Sequence, residues 1–367
     1  MRGTDVLDYQ TYGYMDLDSH VPLRKDAIYR MYSNTKIVTS VALMMLYEEG
    51  RFSLDDPLAN YMPEFSDLQV LRPDAASLEE VEPARQAVLI KHILSHSAGF
   101  SYGFIEPESL IDQTYLSQGV NVLTDSDVDL ETFCQRVARL PLAYEPGTSW
   151  RYSVATDVCA RLVEVLSGQR FDEFLRARIF QPLGMLDTDF WVPPEKAERF
   201  ITMYAPTDLL DPMQSGLVKA DDAQTGQYNQ PRKFLSGGGG LVSTVSDYVA
   251  FVKMLVNGGA LDGQRILQQE TLQLMRTNQL PPGVGVAFPM WVMPGTVFGL
   301  GFALKQQLAQ DEAAAAQDEY FWGGMAGTHT WMAPAGDLML MCNTQRMPGF
   351  WHPFSLEFRQ LAYAIAG

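Results

Sequence analysis

Ser33-Asn34-Thr35-Lys36 heads an apolar, helix-periodic stretch that runs from Ile37 to Glu49 and stops at Gly50. Read as one helix ended by a glycine, the stretch fixes where a serine and a lysine sit relative to each other. Residues three apart lie on one helix face, so the Lys36 ammonium can reach back to the Ser33 oxygen. The first-turn amides add positive potential beside a developing alkoxide. A serine hydroxyl is a poor nucleophile near neutral pH until a neighbour takes its proton, and this tetrad supplies nucleophile, cation and field together. The bland alternative is a solvated helix start with Ser33 as its N-cap, and on the tetrad alone that alternative stands.

Two further segments change the weighing. Pro146-Gly147-Thr148-Ser149-Trp150-Arg151-Tyr152-Ser153 is a Pro-Gly turn that delivers a Tyr-Ser pair just before an amphipathic stretch, Asp157 to Leu166. Phe321-Trp322-Gly323-Gly324-Met325-Ala326-Gly327-Thr328 is glycine-rich and lies between two runs with strand character. In this order and at these separations, the three elements resemble the serine β-lactamase and penicillin-binding-protein superfamily, and within it most closely the family VIII carboxylesterases. The resemblance runs from about Tyr12 to the C-terminus. It includes Leu54-Asp55-Asp56-Pro57, Ile93-Leu94-Ser95-His96-Ser97-Ala98-Gly99, Pro182-Leu183-Gly184-Met185, Ser236-Gly237-Gly238-Gly239-Gly240-Leu241 and Gly299-Leu300-Gly301-Phe302.

The resemblance implies a β-lactamase-like (transpeptidase-like) α/β fold, with an antiparallel sheet flanked by helices and a mostly helical lobe. It makes Ser33 the acyl-accepting nucleophile, and Lys36 with Tyr152 the pair that takes its proton and returns one to the leaving alcohol. A phenol titrates near 10, but a close ammonium favours phenolate. The family places the oxyanion N–H groups on Ser33 and on Met325. Two departures bear on substrate. Lactamases read Tyr-x-Asn where this chain has Tyr152-Ser153-Val154, so the amide that holds a lactam's acylamino group is replaced by Val154. Lactamases begin the third motif with Lys, and Trp322-Gly323-Gly324 stands here, the form family VIII esterases show. Trp322 offers an apolar wall and one N–H donor in place of a cation. Trp322, Gly323, Gly324 and Val154 are therefore the expected substrate-contacting residues, and a neutral short-chain acyl ester is the expected substrate of a serine carboxylesterase. A β-lactamase with weak cephalosporin activity, an acyltransferase and a non-catalytic penicillin-binding-like protein are the alternatives.

Competing chemistries find less support. The chain's G-x-S-x-G pentapeptide, Gly99-Phe100-Ser101-Tyr102-Gly103, follows the Ser95-His96-Ser97-Ala98 turn and not a run with strand character, so it offers no strand-to-helix elbow of an α/β-hydrolase. His92 and His96 are spaced i, i+4, but the Glu of H-E-x-x-H is missing, so they are read as structural, and neither metal nor organic cofactor is expected. Gly237 to Gly240 is not followed by Lys-Ser/Thr and is read as backbone packing behind the catalytic sheet. A net charge of −17 argues against nucleic acid and anionic membranes as partners. Cys134, Cys159 and Cys342 are odd in number and lie in apolar surroundings, as reduced core residues do. The 18 methionines fall in apolar periodic stretches and read as core filling.

No apolar leader precedes Gln10, and no run approaches about 18 apolar residues, which places the protein in the cytoplasm on this reading. Family members carry an extra helix and strand ahead of the hairpin before their S-x-x-K, whereas 32 residues precede Ser33 here. The resemblance therefore implies a truncated start, in which an export signal would be invisible. The sheet edge or helix face so exposed is expected to pair two copies in a homodimer.

Along the chain, residues 1–53 and 232–367 are expected to form a discontinuous α/β domain around a helical domain, 54–231. Gln10 to Met31 reads as a strand pair turning near Asp16 to His20. Asp129–Arg139, Asp157–Leu166, Phe171–Phe180 and Ser246–Val256 read as helices. Tyr204–Pro231 reads as a surface excursion shaping the pocket mouth. Val297–Lys305, Tyr320–Trp322, Thr328–Met332 and Leu338–Thr344 read as strands, Gln306–Glu319 as an exposed loop, and Ser355–Ala366 as a helix covering the sheet.

Overall fold

The structure, a computed structural model, describes residues 1–120, 127–209, 211, 213, 216–289, 291–350 and 352–366. Strand β1 (Ile28–Arg30) leads through a 3-10 turn at Tyr32–Asn34 into helix α1 (Thr35–Glu48). Every residue of α1 from Thr35 to Leu46 is buried, so the helix is wrapped on all sides and runs through the core. Gly50 ends it in the left-handed region, φ +69°, where its N–H bonds the Tyr47 carbonyl. Helix α2 (Ala155–Ser167) packs along α1 and closes with Gly168 at φ +70°.

Strand β1 does not pair with the first hairpin, which is formed by Tyr14–Asp16 and Val21–Pro22. Its antiparallel partner is β2 (Val242–Thr244), with Ile28 opposite Thr244. The strand pair read within Gln10–Met31, turning near Asp16 to His20, is that first hairpin; Ile28–Arg30 lies outside it, because its pairing is non-local and no turn chemistry marks it.

The main sheet is an antiparallel meander of β3 (Thr296–Phe298), β4 (Ala303–Lys305), β5 (Tyr320–Gly324), β6 (Thr328–Ala333) and β7 (Leu338–Asn343), in chain order. Val297–Lys305 is thus a hairpin, not one strand. It turns at Gly301, φ +95°, where a Cβ would lie 2.3 Å from Ser40 Oγ on α1. On the outer edge of β7, the Met1 amine donates to the Met339 carbonyl at 2.8 Å and the Met339 N–H returns to the Met1 carbonyl at 3.0 Å. The Tyr204–Pro231 surface excursion carries a strand pair: Met203–Pro206 pairs with Leu217–Asp221, which is exposed from Leu217 to Ala220, and residues 210, 212, 214 and 215 lie outside the described residues.

Helix α3 (Phe354–Ala366) covers the sheet face carrying Trp331, Leu340 and Cys342, with Tyr363 packed among them. Gln306–Glu319, read as an exposed loop, is anchored. Glu319 is fully buried, accepts hydrogen bonds from Arg359 Nη2 at 2.9 Å and Nε at 3.0 Å, and accepts from the Tyr363 hydroxyl. Lys305 pairs with Glu312 at 2.5 Å. Removing one partner of a buried ion pair strands the other charge, so Glu319→Ala is expected to lower unfolding free energy by about 3 kcal/mol in a urea titration. A change below about 0.5 kcal/mol would show that α3 docks through apolar contacts alone.

The three cysteines are buried and unbridged. No described helix is long and apolar enough to cross a membrane.

Candidate active site

Tyr32 holds a positive φ of +44°, costly for a residue with a Cβ, and this bend sets Ser33 just ahead of α1. Ser33 does not cap the helix; the N-cap is Asn34, with no side-chain cap bond. The bend is pinned from several sides. Asn34 Nδ2 donates to the Thr328 carbonyl at 3.0 Å, Thr328 Oγ1 donates to the Met31 carbonyl at 2.9 Å, and the Tyr248 hydroxyl donates to the Asn34 carbonyl at 2.9 Å. Helix α1 and the β5–β6 turn are thereby locked together.

Lys36 Nζ donates to three oxygens: Ser33 Oγ at 3.4 Å, the Tyr102 hydroxyl at 3.0 Å and the Gly238 carbonyl at 2.6 Å. The side chain is 2% exposed. The same ammonium lies 4.6 Å from the centre of the Tyr152 ring, a cation–π placement. The Tyr152 hydroxyl accepts a hydrogen bond from Trp322 Nε1 at 3.1 Å. Ser33, Lys36, Tyr152 and Trp322 therefore converge, although they come from two helix starts and a strand far apart in sequence.

Each is held by what precedes it. Arg151, next to Tyr152, donates to Ser101 Oγ at 2.7 Å and to Asp112 Oδ1 at 3.0 Å, so one guanidinium ties the turn carrying Tyr152 to the loop carrying Tyr102. Tyr152 sits in a nest of rings: His96 at 5.0 Å, Trp322 at 5.1 Å, Tyr102 at 5.3 Å and Phe288 at 5.6 Å between centroids. Phe288 comes from the Ala287–Phe288/Trp291–Val292 hairpin. This hairpin, unremarked in the sequence, lies against the Tyr152–Trp322 pair.

The other expected site residues divide. Gly324 packs directly on the segment just ahead of Ser33, since a Cβ there would fall 2.3 Å from the Met31 carbonyl and 3.2 Å from Tyr32 Cβ. This sets the Gly324–Gly327 turn, with Met325 in it, beside the segment that carries Ser33. Gly323 faces the other side of β5, where a Cβ would meet His329 Nδ1 at 2.3 Å. Val154 is fully buried at the start of α2, and its N–H bonds the Ser101 carbonyl at 3.2 Å.

His92 and His96 take no part in a metal cluster: among the described residues no group of three or more His, Cys, Asp or Glu could hold an ion. His92 Nδ1 accepts from the Leu89 N–H at 3.2 Å, and burial takes its pKa down to about 4. His96 is buried against Tyr152, with Nδ1 3.2 Å from Ser153 Oγ, and burial followed by the Lys36 charge holds it well below its ordinary value. Both imidazoles are thus neutral.

The glycine run is placed differently from the sequence reading. It enters between α1 and α2, where a Cβ on Gly237 would lie 2.6 Å from Ala160 Cβ, and the Gly238 carbonyl is a direct partner of Lys36. Tyr102, Gly238 and Asp157 are site neighbours the sequence reading missed. Burial, then Tyr152 and Asp157, pushes the Tyr102 phenol well above its ordinary value, so Tyr102 is a neutral acceptor for Lys36.

Known proteins share this architecture. The Beta-lactamase family model matches residues 1–363. Protein Rv1367c of Mycobacterium tuberculosis is 32% identical over 358 residues, covering 94% of this chain and 83% of that protein. Esterase EstB of Burkholderia gladioli is 28% identical over 382 residues, covering 99% and 89%. Among solved structures, EstCE1, a hydrolase with promiscuous acyltransferase activity, superposes with a TM-score of 0.80 at 24% identity, over 99% of this chain and 92% of that one. With its family match spanning nearly the whole length and this fold around an S-x-x-K serine, the chain belongs to the beta-lactamase family of the serine β-lactamase and penicillin-binding-protein superfamily.

Proposed function

We propose that this protein is a serine carboxylesterase that hydrolyses neutral short-chain acyl esters through an acyl-enzyme on Ser33. The observation that carries the reading is the hydrogen bond from Trp322 Nε1 to the Tyr152 hydroxyl, beside a Lys36 ammonium that reaches both Ser33 Oγ and the Tyr152 ring. Where lactamases present a lysine to an anionic substrate, Trp322 presents its one donor to the tyrosine. The donated N–H and the cation at the ring hold the Tyr152 phenol beside the ammonium that touches Ser33 Oγ. The wall that remains is aromatic, suited to an uncharged group.

Ser33 Oγ bonds to the ester carbonyl carbon as its proton passes to Tyr152. The carbonyl oxygen, now an oxyanion, is held by the Ser33 and Met325 N–H groups. The C–O bond to the alcohol breaks, and Tyr152 returns the proton to the departing alkoxide. Water then gives a proton to Tyr152 and adds to the acyl carbon, and Ser33 leaves protonated with the acid released.

The test is an intact-protein mass spectrum after brief exposure to p-nitrophenyl acetate and, separately, to a chromogenic cephalosporin, with any adduct mapped by proteolysis. An acetyl mass on the Ser33 peptide that forms and clears with the ester alone is expected. Rapid clearance of a cephalosporin adduct would replace the esterase reading with a lactamase, and no adduct from either compound would leave a binding protein. A second reading is favoured by the aromatic enclosure of Tyr152, which limits the approach of water: acyl transfer to another alcohol. An acetyl adduct that persists until an alcohol is added would establish it.

A further inference from the structure

Lys36 is buried, yet the three oxygens to which it donates, Ser33 Oγ, the Tyr102 hydroxyl and the Gly238 carbonyl, are all formally neutral. An ammonium taken out of water among neutral acceptors alone is costly, and a counter-charge is needed to offset that cost. Asp157 lies on the first turn of α2 and is fully buried. Its Oδ1 accepts from Ser236 Oγ at 2.6 Å and from the Gly238 N–H at 3.0 Å, while Oδ2 is buried without a hydrogen-bond partner. The orphan oxygen lies against Gly238: a Cβ built there would come 2.6 Å from Oδ2 and 3.0 Å from the Tyr102 hydroxyl. One glycine thus separates the carboxylate from the groups that hold the ammonium, and its two backbone atoms serve both, N–H to Asp157 and C=O to Lys36.

Resting on the esterase reading above, we infer that Asp157 is a positioning residue whose carboxylate supplies the counter-charge for the Lys36 ammonium and fixes the Gly238 carbonyl to which that ammonium donates. Other titratable groups facing Asp157 are Tyr102 from its loop, Cys134 from the helix Leu130–Val137, and Cys159 on α2 itself. Burial raises the phenol and both thiols well above their ordinary values, which leaves them neutral and Lys36 as the charge Asp157 faces. Burial also pushes the Asp157 carboxyl up, and the Lys36 charge pulls against that shift. The pairing is therefore reciprocal.

The test is Asp157→Asn in the full chain, nearly the same shape without the charge. The kcat/KM for p-nitrophenyl acetate is measured against pH, with a thermal melt as a check on folding. An ammonium without its counter-charge is lost at lower pH, so the alkaline limb of the variant is expected to move down by about one pH unit, with activity falling at least about tenfold on that limb. A profile parallel to that of the unsubstituted chain, lower or not, would make Asp157 a packing residue and overturn the inference. An acid limb that moves instead would overturn it too, because Lys36 would then be acting as a base. Should the variant not fold, or the unsubstituted chain turn over no ester, nitrogen NMR of lysine-labelled protein decides, with Lys36 assigned by its loss in Lys36→Gln. An ammonium signal at about pH 8 is expected, and an amine signal overturns the inference.

Discussion

Ser33→Ala is expected to lower kcat/KM for a p-nitrophenyl ester by about 10⁴- to 10⁶-fold, the range seen when a serine nucleophile is removed and only oxyanion stabilisation and binding remain. The same variant should unfold within about 1 kcal/mol of the unsubstituted chain. The reason is in the contacts. The hydroxyl's bond to Lys36 is long, at 3.4 Å, whereas Lys36 keeps its shorter bonds to Gly238 and Tyr102. The bend that carries residue 33 is held by Asn34, Thr328 and Tyr248, none of which uses the serine side chain. Activity and stability should therefore separate cleanly, as an ester assay paired with a urea titration can show. Retention of most of the activity would mean that hydrolysis runs through another group.

What could be read in advance was whatever lies close together in the chain. Ser33 and Lys36 meet because helix geometry brings i and i+3 together, and the glycine stop at Gly50 is equally local. The strands Thr328–Met332 and Leu338–Thr344 were equally legible, and they meet at a 3-10 turn over Pro334–Gly336 with Asp337 at φ +49°. Contacts made over long separations were not legible. Tyr102 reaches Lys36 from 66 residues away and Gly238 from 202, and neither Ser101-Tyr102-Gly103 nor a run of four glycines carries a pattern that names its partner. Asp157 did leave a signal: a carboxylate among Val154, Ala155, Val158 and Cys159, all buried, sits on the inward side of its helix. It reads as an ordinary first-turn acid unless that placement is considered. The strand Val297–Lys305 failed for a related reason. Its apolar residues continue through Gly299-Leu300-Gly301, and only the close approach of Gly301 to Ser40 shows why the chain turns there.

Tyr152→Phe is expected to lower kcat by about 10²- to 10⁴-fold with KM little changed, the loss typical of a general base. Phenylalanine keeps the ring that packs against His96, Tyr102, Trp322 and Phe288, so the aromatic wall offered to a substrate persists. The cation–π contact with Lys36 persists with it. What disappears is a single oxygen, the acceptor for Trp322 Nε1. Leaving that buried indole N–H unpaired should cost about 1–3 kcal/mol of stability, a second and independent readout. The two effects can be told apart through Trp322→Phe, which removes the donor but leaves the base. Trp322→Phe should therefore keep kcat within about tenfold, since the phenol remains in place. Tyr152→Phe should be slow at every pH. An unchanged kcat in Tyr152→Phe would remove the tyrosine from the mechanism and leave Lys36, which already touches Ser33 Oγ, as the proton acceptor.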